Sequence, residues 1–175
     1  MPTASARIDE LPIPMTSSTT PAGWAELYER HYEAVFRAAL RITGNPADAE
    51  DVLQIVFLRV LARGGDVENV ALPAAYFRRA AVNAAVDVLR RRELHAESVY
   101  DDGAPHAAVQ PPLLLKEQLR RAIAALESED ASLFLLRHVE GLSIEELAGI
   151  FQMEKNNVTV KLHRIRRRLQ IEMQR

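Results

Sequence analysis

GLSIEELAGIFQMEKNNVTVKLHRIRRRL, residues 141–169, decides the helical character of the chain. Ser143 is well placed to cap a helix, and Glu146, three residues later, completes the pattern of a capping box. A short helix to Phe151, a three-residue turn and a longer basic helix from about Lys155 have the proportions of a helix-turn-helix. We therefore predict a helix-turn-helix at this end of the chain.

The basic helix has one apolar stripe, formed by Val158, Leu162, Ile165 and Leu169 at spacings of four, three and four residues. Six of the fifteen residues 155–169 are basic, although the whole chain carries a net charge of -2. A solvated surface helix would also explain these basic residues. Because they lie on the second helix of a predicted helix-turn-helix, DNA binding is favoured. The predicted DNA-binding residues are Lys155, Asn156, Asn157, Thr159, Val160, Lys161, His163, Arg164 and Arg167.

Length and composition limit the remaining possibilities. With 175 residues, 48% of them hydrophobic, the chain can form one mid-sized domain or two small ones. The absence of cysteine excludes disulfides and thiol chemistry. The five histidines have no metal-ligand spacing, and no nucleophile motif or glycine-rich phosphate loop is present. We expect no cofactor, no metal site and no enzymatic activity.

The rest of the chain is predicted to be all-α, with two small helical domains. Residues 1–22 are rich in Pro, Ser and Thr and read as a disordered tail, without the apolar core of a signal peptide. Residues 23–92 show three helices, the last ending in Arg90-Arg91-Arg92. Residues 93–112 hold four acids and no Lys or Arg, which is typical of a flexible linker. Residues 113–175 form the second domain, and no stretch is long and apolar enough for a membrane span.

Two further clusters in the first domain are candidates for binding. Asp48, Glu50 and Asp51 begin the second helix, where the helix dipole alone would favour acids, but beside apolar residues they also suit docking to a basic partner. The third helix places four polar residues on one face. Ion pairs between side chains one helical turn apart would also explain this face, without any role in binding. These residues are Arg79, Asn83, Asp87 and Arg90.

Four segments together carry a family resemblance. They are GNPADAEDVLQIVFLRVL (44–61), YFRRAAVNAAVDVLRRR (76–92), ALESEDASLFLLRHVEGLSIEELAGIF (125–151) and NNVTVKLHRIRRRL (156–169). In order and spacing they resemble regions 2 and 4 of bacterial sigma factors of the extracytoplasmic-function (ECF) group. The resemblance implies that the first domain is similar to a sigma-2 domain and the second to a sigma-4 domain.

The resemblance also implies partners and roles. Core RNA polymerase is bound through its β′ clamp helices, at positions that match Asp48, Glu50, Asp51 and Gln54, and through its β flap. The sigma-4 domain reads the minus-35 element. The family's anti-sigma factors imply a regulatory protein partner, and the free protein is expected to be a cytoplasmic monomer. Promoter DNA at the minus-10 element is expected to meet Asn69, Arg79, Asn83, Asp87, Arg90 and Arg91.

The recognition helix departs from the family pattern. Thr159 stands where a basic residue is common, and Val160 where a small polar residue is common. Thr and Val can contact thymine methyl groups, and Asn can pair with adenine. We therefore expect an unusual minus-35 preference. An autonomous helix-turn-helix regulator that binds palindromic DNA as a dimer, without polymerase, remains the alternative function.

Overall fold

The structure, a computed structural model, describes residues 21–62, 73–99 and 111–174. Within these ranges it contains seven α-helices and no strand, which confirms the predicted all-α class. The helices are α1 (Pro21–Thr43), α2 (Pro46–Ala62), α3 (Pro73–Val99), α4 (Pro111–Ala124), α5 (Ser128–His138), α6 (Ile144–Phe151) and α7 (Lys155–Met173).

The first domain, α1 to α3, packs around a cluster of aromatic side chains. Phe77 of α3 lies 5.4 Å from Phe57 of α2 between ring centroids, and it stacks on His31 of α1 at 4.3 Å. Trp24 and Tyr28 of α1 close the cluster against Phe57. Burial of His31 among these rings lowers the pKa of its imidazole, and the nearby charge of Arg30 lowers it further. His31 is therefore a core residue rather than a ligand.

A tight break separates α1 from α2. Gly44 adopts φ 67°, a left-handed conformation that suits glycine, and its N–H donates to the Leu40 carbonyl at 2.8 Å. The Asn45 side chain then accepts the Ala47 N–H at 2.8 Å and so caps α2. Pro46 occupies the first position of the new helix, where a missing N–H has no cost.

The second domain, α4 to α7, contains the predicted helix-turn-helix. The capping box is present: Ser143 Oγ accepts the Glu146 N–H at 3.1 Å, and Glu146 accepts the Ser143 N–H at 2.7 Å. Gln152 adopts a left-handed conformation, φ 52° and ψ 45°, that ends α6 and turns the chain into α7. The predicted apolar stripe of α7 is buried, from Val158 at 0% exposure to Leu169 at 4%.

The helix α3 is longer than the sequence predicts. It was expected to end at Arg92, but it continues to Val99, so residues 93–99 of the predicted linker are helical. Glu93 explains part of the extension, because its carboxylate lies 3.5 Å from Arg121 of α4. Residues 100–110 of the predicted linker lie outside the described residues.

The helix α3 also lies between the two domains. It packs against α1 and α2 of the first domain and against α4 and α5 of the second. Apolar residues are buried on more than one of its sides, as expected for a helix with two packing partners. These residues are Phe77, Ala81, Val82, Ala84, Ala85, Val86, Val88 and Leu89. The two domains thus form one body, an arrangement that the sequence analysis did not predict.

Candidate nucleic-acid and polymerase interfaces

The outward side of α7 is open to solvent. Because the apolar stripe turns inward, the first turns of α7 present short polar and apolar side chains, and the later turns present arginines. Val160, at 41% exposure, lies on this open side. We define the α7 face as the predicted residues that the structure exposes here, namely Asn156, Asn157, Thr159, Val160, His163, Arg164 and Arg167.

Two predicted lysines of α7 have acidic partners. Lys155 Nζ lies 2.9 Å from Glu145 on the surface, and the hydrogen bond from Lys155 lowers the pKa of that carboxyl. Lys161 is half-buried, hydrogen-bonded to Glu129 and 3.2 Å from Asp130. Burial lowers the pKa of Lys161, but the hydrogen bonds to Glu129 and Asp130 outweigh burial, so the pKa is raised. Lys161 therefore ties α7 to α5, a role that the sequence did not indicate.

The helix α2 presents an exposed stripe that combines acid, amide and leucine side chains. Asp51, Gln54, Leu58 and Leu61 are spaced three, four and three residues apart and are exposed, with Leu58 at 62% and Leu61 at 51%. Exposed leucines beside acids are typical of a protein-docking surface. We call these four residues the α2 stripe. The predicted residue Glu50 is exposed next to it.

Asp48, the remaining predicted polymerase-binding residue, is half-buried at the start of α2. Its carboxylate pairs with Arg92 of α3 at 3.1 Å. Arg92 also lies 3.9 Å from Glu117 of α4. Asp48 is therefore linked to the second domain through a shared arginine.

Arg90 of α3 points into the second domain. Its guanidinium donates three hydrogen bonds to the turn between α4 and α5: to the Ala124 carbonyl at 3.1 Å, the Leu126 carbonyl at 2.6 Å and the Ser128 hydroxyl at 2.7 Å. Few donors of this arginine are left for another partner, since a guanidinium has five N–H groups. In this arrangement Arg90 holds the domains together.

Arg79 and Asn83 also contact the second domain. Arg79 donates to the Ile150 carbonyl at 2.7 Å, and its guanidinium lies 4.6 Å from the centre of the Phe151 ring. Burial lowers the pKa of Arg79, although the charge of Glu129 acts in the opposite direction. Asn83 accepts a hydrogen bond from the Ser132 hydroxyl of α5.

The other predicted minus-10 residues lie at the edge of this contact. Asp87 is exposed and lies 3.9 Å from both Arg59 and Arg90, and Arg91 is exposed beside a groove between α2 and α3. Asn69 lies outside the described residues. The structure therefore brings together three of the predicted residues and covers them with the second domain.

One sequence signal could have revealed this cover. Val82 and Val86 lie on the polar side of α3, within one turn of Asn83, and add a second apolar stripe to that of Phe77, Ala81 and Val88. A helix with apolar residues on two sides needs two packing partners. Only the first stripe was predicted to be buried.

The described ranges hold neither a candidate metal site nor a candidate membrane span. No group of three or more His, Asp or Glu side chains there could hold a metal ion. Among the described helices, none has the length and hydropathy required to cross a membrane. Two surfaces that carry predicted binding residues are exposed, the α7 face and the α2 stripe.

Comparison with known proteins gives the family. The family pattern described as sigma-70 region 2 matches residues 27–94, and sigma-70 region 4 matches residues 116–169. The RNA polymerase sigma-E factor of Streptomyces coelicolor is 32% identical over 155 residues, covering 85% of this chain and 84% of that protein. The ECF RNA polymerase sigma factor SigE of Mycolicibacterium smegmatis is 31% identical over 157 residues, covering 83% of this chain and 60% of the relative.

A solved structure shows the same fold. The sigma factor RpoE of Bartonella quintana, crystallised with the anti-sigma factor NepR, is 18% identical and matches with a TM-score of 0.50 over 86% of this chain and 96% of that chain. The chain belongs to the sigma-70 family, in its ECF group. It is a transcription initiation factor that works with core RNA polymerase and promoter DNA.

Proposed function

We propose that the two domains divide promoter recognition between them. The second domain reads the minus-35 element through the α7 face, and the first domain docks on polymerase and reads and melts the minus-10 element. The observation that carries this proposal is the α7 face itself. It is exposed, basic in its later turns, and presented by a capped helix-turn-helix.

The α2 stripe is the proposed contact with the β′ clamp helices. Leu58 and Leu61 supply apolar area, and Glu50, Asp51 and Gln54 supply charge and hydrogen bonds that select a basic partner. The second domain is proposed to meet the β flap. In this scheme the polymerase performs all the chemistry, so the chain itself is not an enzyme, and it acts in the cytoplasm, where the polymerase works.

An anti-sigma factor is the proposed regulatory partner. The solved relative from Bartonella quintana was crystallised with such a factor. For this chain, we propose a partner that covers the α2 stripe, because two exposed leucines beside acids offer a surface that polymerase and a competitor could share. The free chain is proposed to be a monomer.

Run-off transcription tests the proposal. Core RNA polymerase is incubated with random-sequence DNA templates, with and without the protein, and the start sites are sequenced. We expect new start sites that depend on the protein, preceded by two conserved elements. Palindromic sites bound tightly without core enzyme, and no protein-dependent transcripts, would favour the dimeric regulator instead.

The promoter preference has its own test. Thr159 and Val160 are exposed at the start of α7, where base-reading residues are expected. Replacing Thr159 by Arg adds a guanidinium that favours guanine contacts. We expect the selected minus-35 sequence to change at one or two positions, and the minus-10 sequence to stay the same. An unchanged minus-35 preference would contradict the assignment of this position.

A further inference from the structure

A groove of about 410 Å³ lies between α2 and α3 and continues the α2 stripe. Three of the four residues of the stripe, Asp51, Gln54 and Leu58, line it. We call it the α2–α3 groove. The α2 stripe is therefore one wall of a concave surface rather than an isolated helix face.

The opposite wall of the groove comes from α3. Val88, Arg91 and His95 are spaced three and four residues apart, so they lie on one side of that helix. Val88 is buried, whereas Arg91 and His95 are exposed. Together with the half-buried Ile55 of α2, Val88 gives the groove an apolar floor between two polar rims.

The two rims carry opposite charges. Asp51 is exposed on the α2 rim, and Arg91 is exposed on the α3 rim. The ion pair of Asp48 with Arg92, at 3.1 Å, also lines the groove near the start of α2. A partner that fills the groove must therefore offer a basic group to α2 and an acidic group to α3.

Arg91 is the exposed member of the run Arg90-Arg91-Arg92. Arg90 bonds to the turn between α4 and α5, and Arg92 bonds to Asp48, whereas Arg91 lines the groove. A DNA phosphate in the groove would meet Arg91 on one rim but the like charge of Asp51 on the other. Protein, which carries both signs of charge and apolar groups, suits this surface better than DNA.

We propose that the α2–α3 groove seats one amphipathic helix of core RNA polymerase, with an apolar side chain over Ile55 and Val88, a basic side chain at Asp51 and an acidic side chain at Arg91. The opposite rims also fix the direction of that helix, because a reversed helix would place like charges together. This rests on the proposed function, in which polymerase docks on α2, and it assigns Arg91 to the same protein contact.

Binding of core polymerase in the absence of DNA tests the proposal. Gln170→Cys supplies the single thiol of the chain for a fluorescent label, and anisotropy then measures the Kd for core RNA polymerase. In this labelled chain we expect Arg91→Glu to weaken binding at least tenfold. Arg91→Lys, which keeps the charge, should stay within about threefold of the labelled natural chain.

A matched control separates the groove from net charge. Arg37→Glu makes the same change in charge at an exposed position of α1, outside the groove, and should bind core polymerase like the natural chain. Equal core binding by Arg91→Glu and Arg37→Glu would overturn the proposal.

A third variant separates the failure of the groove proposal from that of the proposed function. Asp51→Arg reverses the charge of the α2 rim and should also weaken core binding. If Asp51→Arg weakens binding but Arg91→Glu only impairs the opening of promoter DNA, Arg91 belongs to the minus-10 site, and the groove proposal fails while the proposed function stands. If the natural chain does not bind core polymerase at all, the proposed function itself fails.

Discussion

Two helices of this chain carry arginine-rich faces, and they differ in what covers them. The helix α7 has one buried stripe, from Val158 to Leu169, so its opposite side is free. The helix α3 has buried residues on more than one side, and Arg79 and Arg90 bond to carbonyls of the second domain. Similar arginine-rich patterns therefore lie in solvent on α7 and against the second domain on α3. In this chain the number of apolar sides of a helix, rather than its charge, decides whether a second domain covers its arginines.

The largest expected effect contrasts the two sides of α7. Leu162 is 3% exposed and Val160 is 41% exposed. Leu162→Ala should destabilise the chain by about 2–5 kcal/mol, because it leaves a cavity in the core. Val160→Ala should change the free energy of unfolding by less than about 0.5 kcal/mol. Urea unfolding followed by circular dichroism measures both, and equal losses would contradict the assignment of the buried stripe.

The next effect compares one arginine from each helix. Arg90→Ala removes the donors to the Ala124 and Leu126 carbonyls and should cost about 1–3 kcal/mol of stability. Arg167→Ala, on the exposed side of α7, should cost less than about 0.5 kcal/mol. Thermal unfolding of the two variants at one salt concentration gives the difference. If both variants unfold like the natural chain, the α3 arginines are not structural in solution.

A smaller effect should appear in the salt dependence of promoter binding. Arg167→Ala in the holoenzyme should reduce the slope of log K against log salt by about 0.9, because one phosphate contact is lost. Lys161→Ala should change the slope less, since Glu129 and Asp130 already neutralise that lysine. Filter binding over a series of salt concentrations tests the pair. A larger change for Lys161 than for Arg167 would reverse the assignment.

The smallest effect concerns pH and the core of the first domain. Burial lowers the pKa of His31 below its ordinary 6.5, so the folded chain favours the neutral imidazole. As pH falls below that value, the unfolded chain takes up the proton first, and stability declines until the folded pKa is passed. His31→Phe keeps a ring against Phe77 and should flatten this decline. The melting temperature from pH 7.5 to 5 measures it, with the natural chain as the control.

Local signals in the sequence account for most of the fold. The capping box at Ser143, the turn at Gly44 and the stripe of α7 were each predictable, because each depends on residues within a few positions of one another. The packing of the domains depends on contacts between distant residues, such as Arg90 with the α4–α5 turn. A single sequence does not reveal such pairs, although Val82 and Val86 indicated that α3 needs a second partner.

The site predictions divide in the same way. Exposure of the α7 face and of Asp51 and Gln54 on α2 follows from helical periodicity. The partners of Lys161 and Asp48 do not, because Glu129 and Arg92 lie on other helices. Local pattern therefore predicted which of these side chains are exposed, but not which of them bond to other helices.

The distance between the two domains tests the central claim most directly. Cysteines at Ala34 of α1 and Gln170 of α7, both exposed in this cysteine-free chain, can carry spin labels for pulsed electron paramagnetic resonance. We predict one narrow distance distribution for the free protein, because α3 bonds to the second domain at several points. A broad distribution in the free protein would contradict the claim that the second domain packs against α3.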